Sequence, residues 1–285
     1  YVHFGPGNYN ERTARQYCDI SLLTAADDYG ADAAAFFNAV TGLSEPGAFR
    51  RIEMAPLGLR RRVLELIEGE RRHAEAGGRA RIIVKVNSLS DRELIDALYA
   101  ASRAGVEITL LVRGICCLRP GVPGLSDRIR VVSVVDRFLE HARILWFHRG
   151  GDPAVFISSA DWMLRNLDKR VELLIEVVDP AARRRLEKIL EICATDNAQA
   201  WELQPDGSYV RLRPPARGAR VRSQQRLYEL AQRAARLAQQ AQRRRLLPYR
   251  LEGGRRRGSA QASGSCSQRP RSSQSRQRAS ATARR

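Results

Sequence analysis

No run of apolar residues in this 285-residue chain approaches the roughly 20 that cross a bilayer as a helix. Its start also lacks the charged, apolar and small-residue order of a secretory signal. A soluble, cytoplasmic protein is expected. An initiator Met is missing too: the opening YVHFGPGNYN enters in mid-strand, so the chain is expected to be a fragment, with any targeting information upstream of residue 1. Cysteine is sparse and odd in number, at Cys18, Cys116, Cys117, Cys193 and Cys266, without the paired spacing of a metal site. Reduced thiols are expected, and the vicinal Cys116 and Cys117 read as strand-end packing rather than a redox pair. Histidine is scarcer still, with four in all, which limits neutral-pH proton transfer to His3, His73, His141 and His148.

The body of the chain also has little net charge. Residues 211–285 hold 21 Arg against Glu229 and Glu252, whereas residues 1–210 hold 28 Lys and Arg against 29 Asp and Glu. The net +18 therefore divides into −1 for the body and +19 for residues 211–285. A near-neutral body gives no ground for specific nucleic-acid binding, because the basic charge belongs to a separable segment. From about Gly253 large apolar residues almost vanish, so a disordered Arg/Ser-rich tail is expected over 251–285. Ahead of it SQQRLYELAQRAARLAQQAQRRRL is helix-forming, within a C-terminal helical segment over 211–250 that ends near Pro248.

What is present in the body is alternation of period. ADDYGADAAAFFNAVTG reads as a helix, and FRRIEMAPLGLRRRVLELIEGERRHAEAGG repeats its apolar residues at helical spacing until Gly77-Gly78. RIIVKVNSL reads as a buried strand, SDRELIDALYAASRAG as a helix with Ser90 as N-cap and Glu93 completing a capping box, and VEITLLVRG as a second strand. IRVVSVV, ARILWF, AVFIS and RVELLIEVV add strands, and DPAARRRLEKILEICATD a closing helix. This pattern predicts an α/β domain over 52–210 whose sheet contains parallel pairs, preceded at 1–51 by the last piece of another domain.

The chemistry concentrates between Arg137 and Glu172. His141 and Arg143 alternate onto one face, and the HRGGDP turn brings Ser158, Ser159 and Asp161 back toward them. An imidazole, a guanidinium, hydroxyls and a carboxylate can hold an anion and move protons. Asp161 is expected to orient His141 or Arg143, and Ser158 and Ser159 to bond phosphate oxygens. Arg113 closes a strand before the loop ICCLRPGVPG, where a cation reaches a phosphate or forms a strand-end salt bridge. His141 is either an acid, base or phosphate ligand or a satisfied, partly buried histidine. His148 reads as a surface residue, while His3 and His73 show no partner. The GPGNYN loop, with Asn8, offers backbone N–H groups to an anion, and Tyr17 stacks on a base or packs.

The segments GPGNYNERTARQYCDISLLTA, APLGLRRRVLELIE, VRGICCLRPGVPG, DRFLEHARI and SSADWMLRNLDKRVE resemble, in order and over residues 1–210, the C-terminal half of bacterial polyphosphate kinases of the first type. The resemblance implies a phospholipase D-like fold, a mixed sheet flanked by helices, with 1–51 the end of the first catalytic domain and 52–210 the second. It implies an ATP:polyphosphate phosphotransferase that works reversibly through a phosphohistidine, with the acceptor histidine and the Mg²⁺ ligands upstream of residue 1 and no metal ligand in this stretch. By matching motifs, His141 in FLEHAR is the catalytic acid or base and contacts ATP. Tyr17 in ARQYCD lies against the nucleotide, and Arg113 in LLVRG binds its phosphates. Asn8, Arg143, Ser159 and Asp161 are the supporting set. Implied partners are ATP or ADP, inorganic polyphosphate, further copies of the chain and the membrane periphery; an isolated fragment is expected to be inactive. One departure is Gly5-Pro6-Gly7-Asn8 where the family has Gly-Thr-Gly-Asn, which removes a hydroxyl and an N–H. The Arg-rich end is expected to attract polyphosphate by counterion release. A phospholipase D-like phosphodiesterase or nuclease, expected to carry His-x-Lys where Arg143 stands, and a polyanion-binding protein acting through the tail are the alternatives.

Overall fold

The strand, helix and strand expected over residues 81–114 are present in the computed structural model, which describes residues 1–43 and 47–245. The strands are β1 (Val2–Phe4), β2 (Tyr17–Cys18), β3 (Leu22–Thr24), β4 (Ile52–Ala55), β5 (Arg81–Val86), β6 (Glu107–Val112), β7 (Ile129–Val134), β8 (Leu139–Glu140), β9 (Arg143–Phe147), β10 (Ala154–Ser158), β11 (Glu172–Glu176), β12 (Ala200–Leu203) and β13 (Tyr209–Arg211). The helices are α1 (Glu11–Ala14), α2 (Asp27–Val40), α3 (Leu59–Glu75), α4 (Arg92–Arg103), α5 (Leu164–Asp168), α6 (Pro180–Ala194) and α7 (Ser223–Arg245). By its contacts the chain divides into Tyr1–Ala238 and Gln239–Arg285, and every side chain discussed below lies in the first unit. The tail expected to be disordered, the helix end near Pro248 and Cys266 lie outside the described residues. Among the described residues no helix is long and apolar enough to cross a membrane.

Nine strands form one mixed sheet in the order β13-β12-β7-β6-β5-β9-β10-β11-β4. β5, β6 and β7 are parallel, and the remaining pairs are antiparallel. Both faces are covered, so the alternation within each strand divides one sheet between two cores. Ile82, Val84 and Val86 of β5, with Leu145 and Phe147 of β9, pack with α3 and α4 residues such as Val63, Ile67, Leu94 and Leu98. On the opposite face Ile144, Val155 and Ile157 pack with Leu186, Leu190 and Cys193 of α6. Each fully buried Ile or Leu contributes roughly 1.5–3 kcal/mol.

Two local expectations are corrected. α4 is capped by Asp91, whose carboxylate accepts the Leu94 N–H at 3.1 Å, and not by Ser90. Ser90 and Asp91 both donate their N–H to Trp162 O, at 2.9 and 3.0 Å. Glu93 instead pairs with Arg60, which also takes Asp91 and Asp168 and so joins α3, α4 and α5. In the second correction, IEMA at the head of the supposed helical stretch is β4, paired along β11. Pro56 stops a helix from forming there, and Asp32 of α2 secures the entry by accepting the N–H groups of Arg50, Arg51 and Ile52.

Candidate functional site

The site is assembled by the smallest sheet. β2 runs parallel to β8, with Tyr17 opposite Leu139 and Cys18 opposite Glu140. Leu139 N–H donates to Gln16 O at 2.8 Å, and the N–H groups of His141 and Ala142 both donate to Cys18 O, at 3.0 and 3.1 Å. Alternation along β2 places Tyr17 and Asp19 on one side and Cys18 on the other. The Tyr17 ring lies 5.0 Å from the His141 ring, tilted by 38°. Asp19 Oδ2 lies 2.8 Å from His141 Nδ1. On the far side burial, reinforced by Glu140, pushes the Cys18 thiol up to about 12, so it remains a thiol at neutral pH.

Arg143 opens β9, opposite Ser158 at the end of β10. Only 5% exposed, it forks onto Asp161, with Nε to Oδ1 at 3.2 Å and Nη2 to Oδ2 at 2.7 Å. Its Nη1 lies 2.9 Å from His141 Nε2 and donates to the His141 carbonyl at 2.9 Å. A carboxylate only accepts, so Nδ1 carries a proton toward Asp19. Arg143 Nη1 lies over the imidazole, 2.9 Å from Nε2 and 3.2 Å from Nδ1, which leaves the in-plane side of Nε2 free of it. Asp161 also accepts the N–H groups of Asn87 and Ser88, at 2.7 and 3.1 Å, so it anchors Arg143 to the end of β5. Of the two roles expected for Asp161, orienting Arg143 is the one observed; Asp19 orients His141. Asp19 escapes a reading of the sequence although QYCD places it in alternation with Tyr17.

The other expected residues divide. Arg113 follows β6 at the same sheet end, two strands from Arg143 and thus about 10 Å away. Its Nε is buried without a hydrogen-bond partner, and among the described residues no carboxylate pairs with its guanidinium, which removes the salt-bridge alternative. Asn8 lines a cavity of about 270 Å³ together with His3, Tyr9, Thr13, Tyr17 and Asp19. Pro6 instead borders a neighbouring space of about 250 Å³ with Phe36 and Phe37. Gly7 is closely approached there: a Cβ on it meets Asp19 Oδ2, the oxygen that faces His141, and displaces that side chain.

The serines are drawn into the framework. Ser159 Oγ donates to Glu172 Oε2 at 2.5 Å and accepts the Leu173 N–H, while Ser158 Oγ donates to Leu173 O at 2.8 Å. Asn166 completes this buried group by donating to Glu172 Oε1 at 2.7 Å, so the serine hydroxyl hydrogens expected for phosphate serve the β10–β11 junction. His148, expected at the surface, is half-buried. Its Nδ1 is buried and its ring lies 6.1 Å from Trp146 and 6.4 Å from His73, while His3 Nδ1 meets Tyr9 Oη at 2.9 Å. Cys116 packs against the core while Cys117 is exposed, and the four described cysteines are free.

Beneath the site lies a buried ion pair that is absent from the sequence-based expectations. Lys85 and Glu140 are 4% and 5% exposed and meet at 3.0 Å, and Lys85 Nζ also donates to Ala142 O at 3.1 Å. Among the described residues no cluster of three or more His, Cys, Asp or Glu is arranged to hold a metal ion. The nearby carboxylates are already engaged, Asp19 by His141, Asp161 by Arg143 and Glu140 by Lys85. These residues do not fit a magnesium site by themselves.

The arrangement is therefore an imidazole between an aromatic ring and a fixed guanidinium, with Arg113 at the same sheet end and, among the described residues, no carboxylate paired with it. Residues 1–46 match the model of polyphosphate kinase C-terminal domain 1, and residues 52–224 that of C-terminal domain 2. A polyphosphate kinase of Rhodopirellula baltica is 59% identical over 80% of this chain and 27% of its own length. One from Thermosynechococcus vestitus is 53% identical over 76% of this chain and 30% of its own. The crystal structure of polyphosphate kinase from Porphyromonas gingivalis superposes with a TM-score of 0.78 at 42% identity, covering 81% of this chain and 35% of that one. The chain thus spans about a third or less of the length of these relatives.

Proposed function

The chain belongs to the polyphosphate kinase family, and on that premise we propose that it supplies the proton-transfer and nucleotide-binding side of an active site that moves the terminal phosphoryl group of ATP reversibly to and from inorganic polyphosphate. The observation that carries the proposal is His141 held between Asp19 and Arg143, with Tyr17 against its ring. Nε2 is the nitrogen that exchanges a proton with the bridging oxygen of the transferred group. In the resting arrangement Arg143 Nη1 lies over the ring, 2.9 Å from Nε2 and 3.2 Å from Nδ1, and a bound phosphate takes the in-plane side of Nε2. The guanidinium of Arg113, without a carboxylate of its own, binds the phosphates of the nucleotide in bidentate fashion. Tyr17 offers a ring face to the base. Arg143, already balanced by Asp161, holds the imidazole and lends positive charge at short range.

A histidine outside these residues would carry the phosphoryl group, and Mg²⁺ held by ligands outside them would supply neutralising charge on the phosphates. Nitrogen is a good acceptor of a phosphoryl group and a good donor of it, which keeps the transfer reversible.

The test follows ³²P from γ-labelled ATP into acid-insoluble polymer with the full-length gene product. His141→Ala is expected to reduce labelled polymer about 10²-fold, the low end for loss of a general acid or base. A folded wild type that labels neither polymer nor protein sinks the reading. Gly7→Ala is expected to lower the rate about tenfold by displacing Asp19 and freeing the imidazole to turn. Steady-state rates of Gly7→Ala, Asp19→Ala and their combination check it, because losses that multiply contradict a shared route through Asp19.

A further inference from the structure

Helix α7 begins at Ser223, where the family match runs out at residue 224, yet its first turn is tied to β8, the strand that leads into His141. Arg222 pairs with Asp136 at 2.6 and 2.8 Å, and the Ser223 N–H donates to Asp196 Oδ2 at 2.7 Å. The next residue, Gln224, is 8% exposed and directs its amide inward. Its Oε1 accepts the Phe138 N–H at 3.0 Å, and its Nε2 donates to Phe138 O at 2.8 Å and to Glu140 Oε1 at 2.7 Å. A side-chain amide that accepts from and donates to the same residue replaces the neighbour that a strand lacks, and here the strand is β8. Glu140 passes the contact on to Lys85, which in turn holds Ala142 O. The residues on either side of His141 are thus fixed from one connected group, Gln224–Glu140–Lys85, while β2 holds the backbone of His141 itself.

We propose that Gln224 is a positioning residue for His141, and that the first turn of α7 belongs to the catalytic apparatus. The proposal rests on the reading that His141 exchanges the proton. Removing the amide leaves the Phe138 N–H and one oxygen of buried Glu140 unpaired, and β8 regains the freedom to shift relative to β2. A His141 ring displaced by a fraction of an ångström still binds nucleotide, because Tyr17 and Arg113 are anchored independently on β2 and after β6. The chemical step alone is lost.

The test is steady-state kinetics on the full-length gene product carrying Gln224→Ala, with Gln224→Met as the companion that fills the space without the hydrogen bonds. Both are expected to reduce kcat about tenfold and to leave KM for ATP within about twofold. In the His141→Ala background, Gln224→Met is expected to have no further effect on residual transfer, since it acts through that ring. Unchanged kcat in folded Gln224→Met enzyme, even with a lowered melting temperature, overturns the proposal and assigns Gln224 to stability alone. So do losses that multiply in the double variant. A His141→Ala enzyme with undiminished transfer points elsewhere: it removes the underlying reading, whatever Gln224 does.

Discussion

Asp161→Ala is expected to lower the unfolding free energy by roughly 3–5 kcal/mol, the cost of leaving one member of a buried ion pair without its partner. Asp161 and Arg143 are 6% and 5% exposed, and their two-point contact is the guanidinium's only carboxylate among the described residues. The same carboxylate accepts the N–H groups of Asn87 and Ser88, so its removal also leaves the end of β5 with unpaired donors. Thermal unfolding reads the effect as a fall of roughly 6–20 °C for a unit of this size. Combining Asp161→Ala with Arg143→Met is expected to recover a large part of the loss, because the uncompensated charge has gone. A single variant within about 1 kcal/mol of wild type shows that water reaches the pair. The same substitution releases Arg143 from its fixed direction and with it the contact to His141 Nε2, so the stability and transfer defects are expected together.

The hairpin around Arg143 is legible in the sequence because each of its signals is local. ARILWF and AVFIS have strand composition, HRGGDP has turn residues, and the observed register of Arg143 with Ser158 agrees with them. Arg113 is legible for the same reason, as the residue that ends an apolar strand. Asp19 is not: β2 and β8 are two residues each, too short for periodicity, and their pairing joins segments far apart in the chain. The cap of α4 reads one residue early because Ser90 and Asp91 are both good N-caps and Glu93 fits a capping box with the first; in the fold Arg60, a tertiary partner, takes both Asp91 and Glu93. β4 is hidden by the helical spacing of the residues after it, although Pro56 marks its end. The serines of SSAD illustrate the opposite error. Their hydroxyls suit phosphate chemically, but the β10–β11 junction and buried Glu172 claim them first.

Lys85 has a signal of its own, a cation set within the apolar residues of IIVKV, and a charge in a buried strand calls for a partner. Lys85→Met is expected to cost roughly 3–5 kcal/mol, comparable to Asp161→Ala but for the opposite charge. The methionine fills the volume of the lysine stem, so packing changes little; what remains is Glu140 with its second oxygen unpaired in an apolar setting and Ala142 O without a donor. Gln224 alone cannot balance a charge with an amide. Adding Glu140→Gln removes the charge while keeping an oxygen for Gln224, so the double variant is expected to regain more than half of the loss in a denaturant melt, with an unchanged slope against denaturant. If Lys85→Met and the double variant are equally unstable, the cost lies in packing or in the Ala142 carbonyl, and the ion pair is not what secures β8. If the double variant recovers, the same buried charge pair both stabilises the sheet and fixes the backbone around His141, which explains a charge placed where an aliphatic residue would otherwise suit the core.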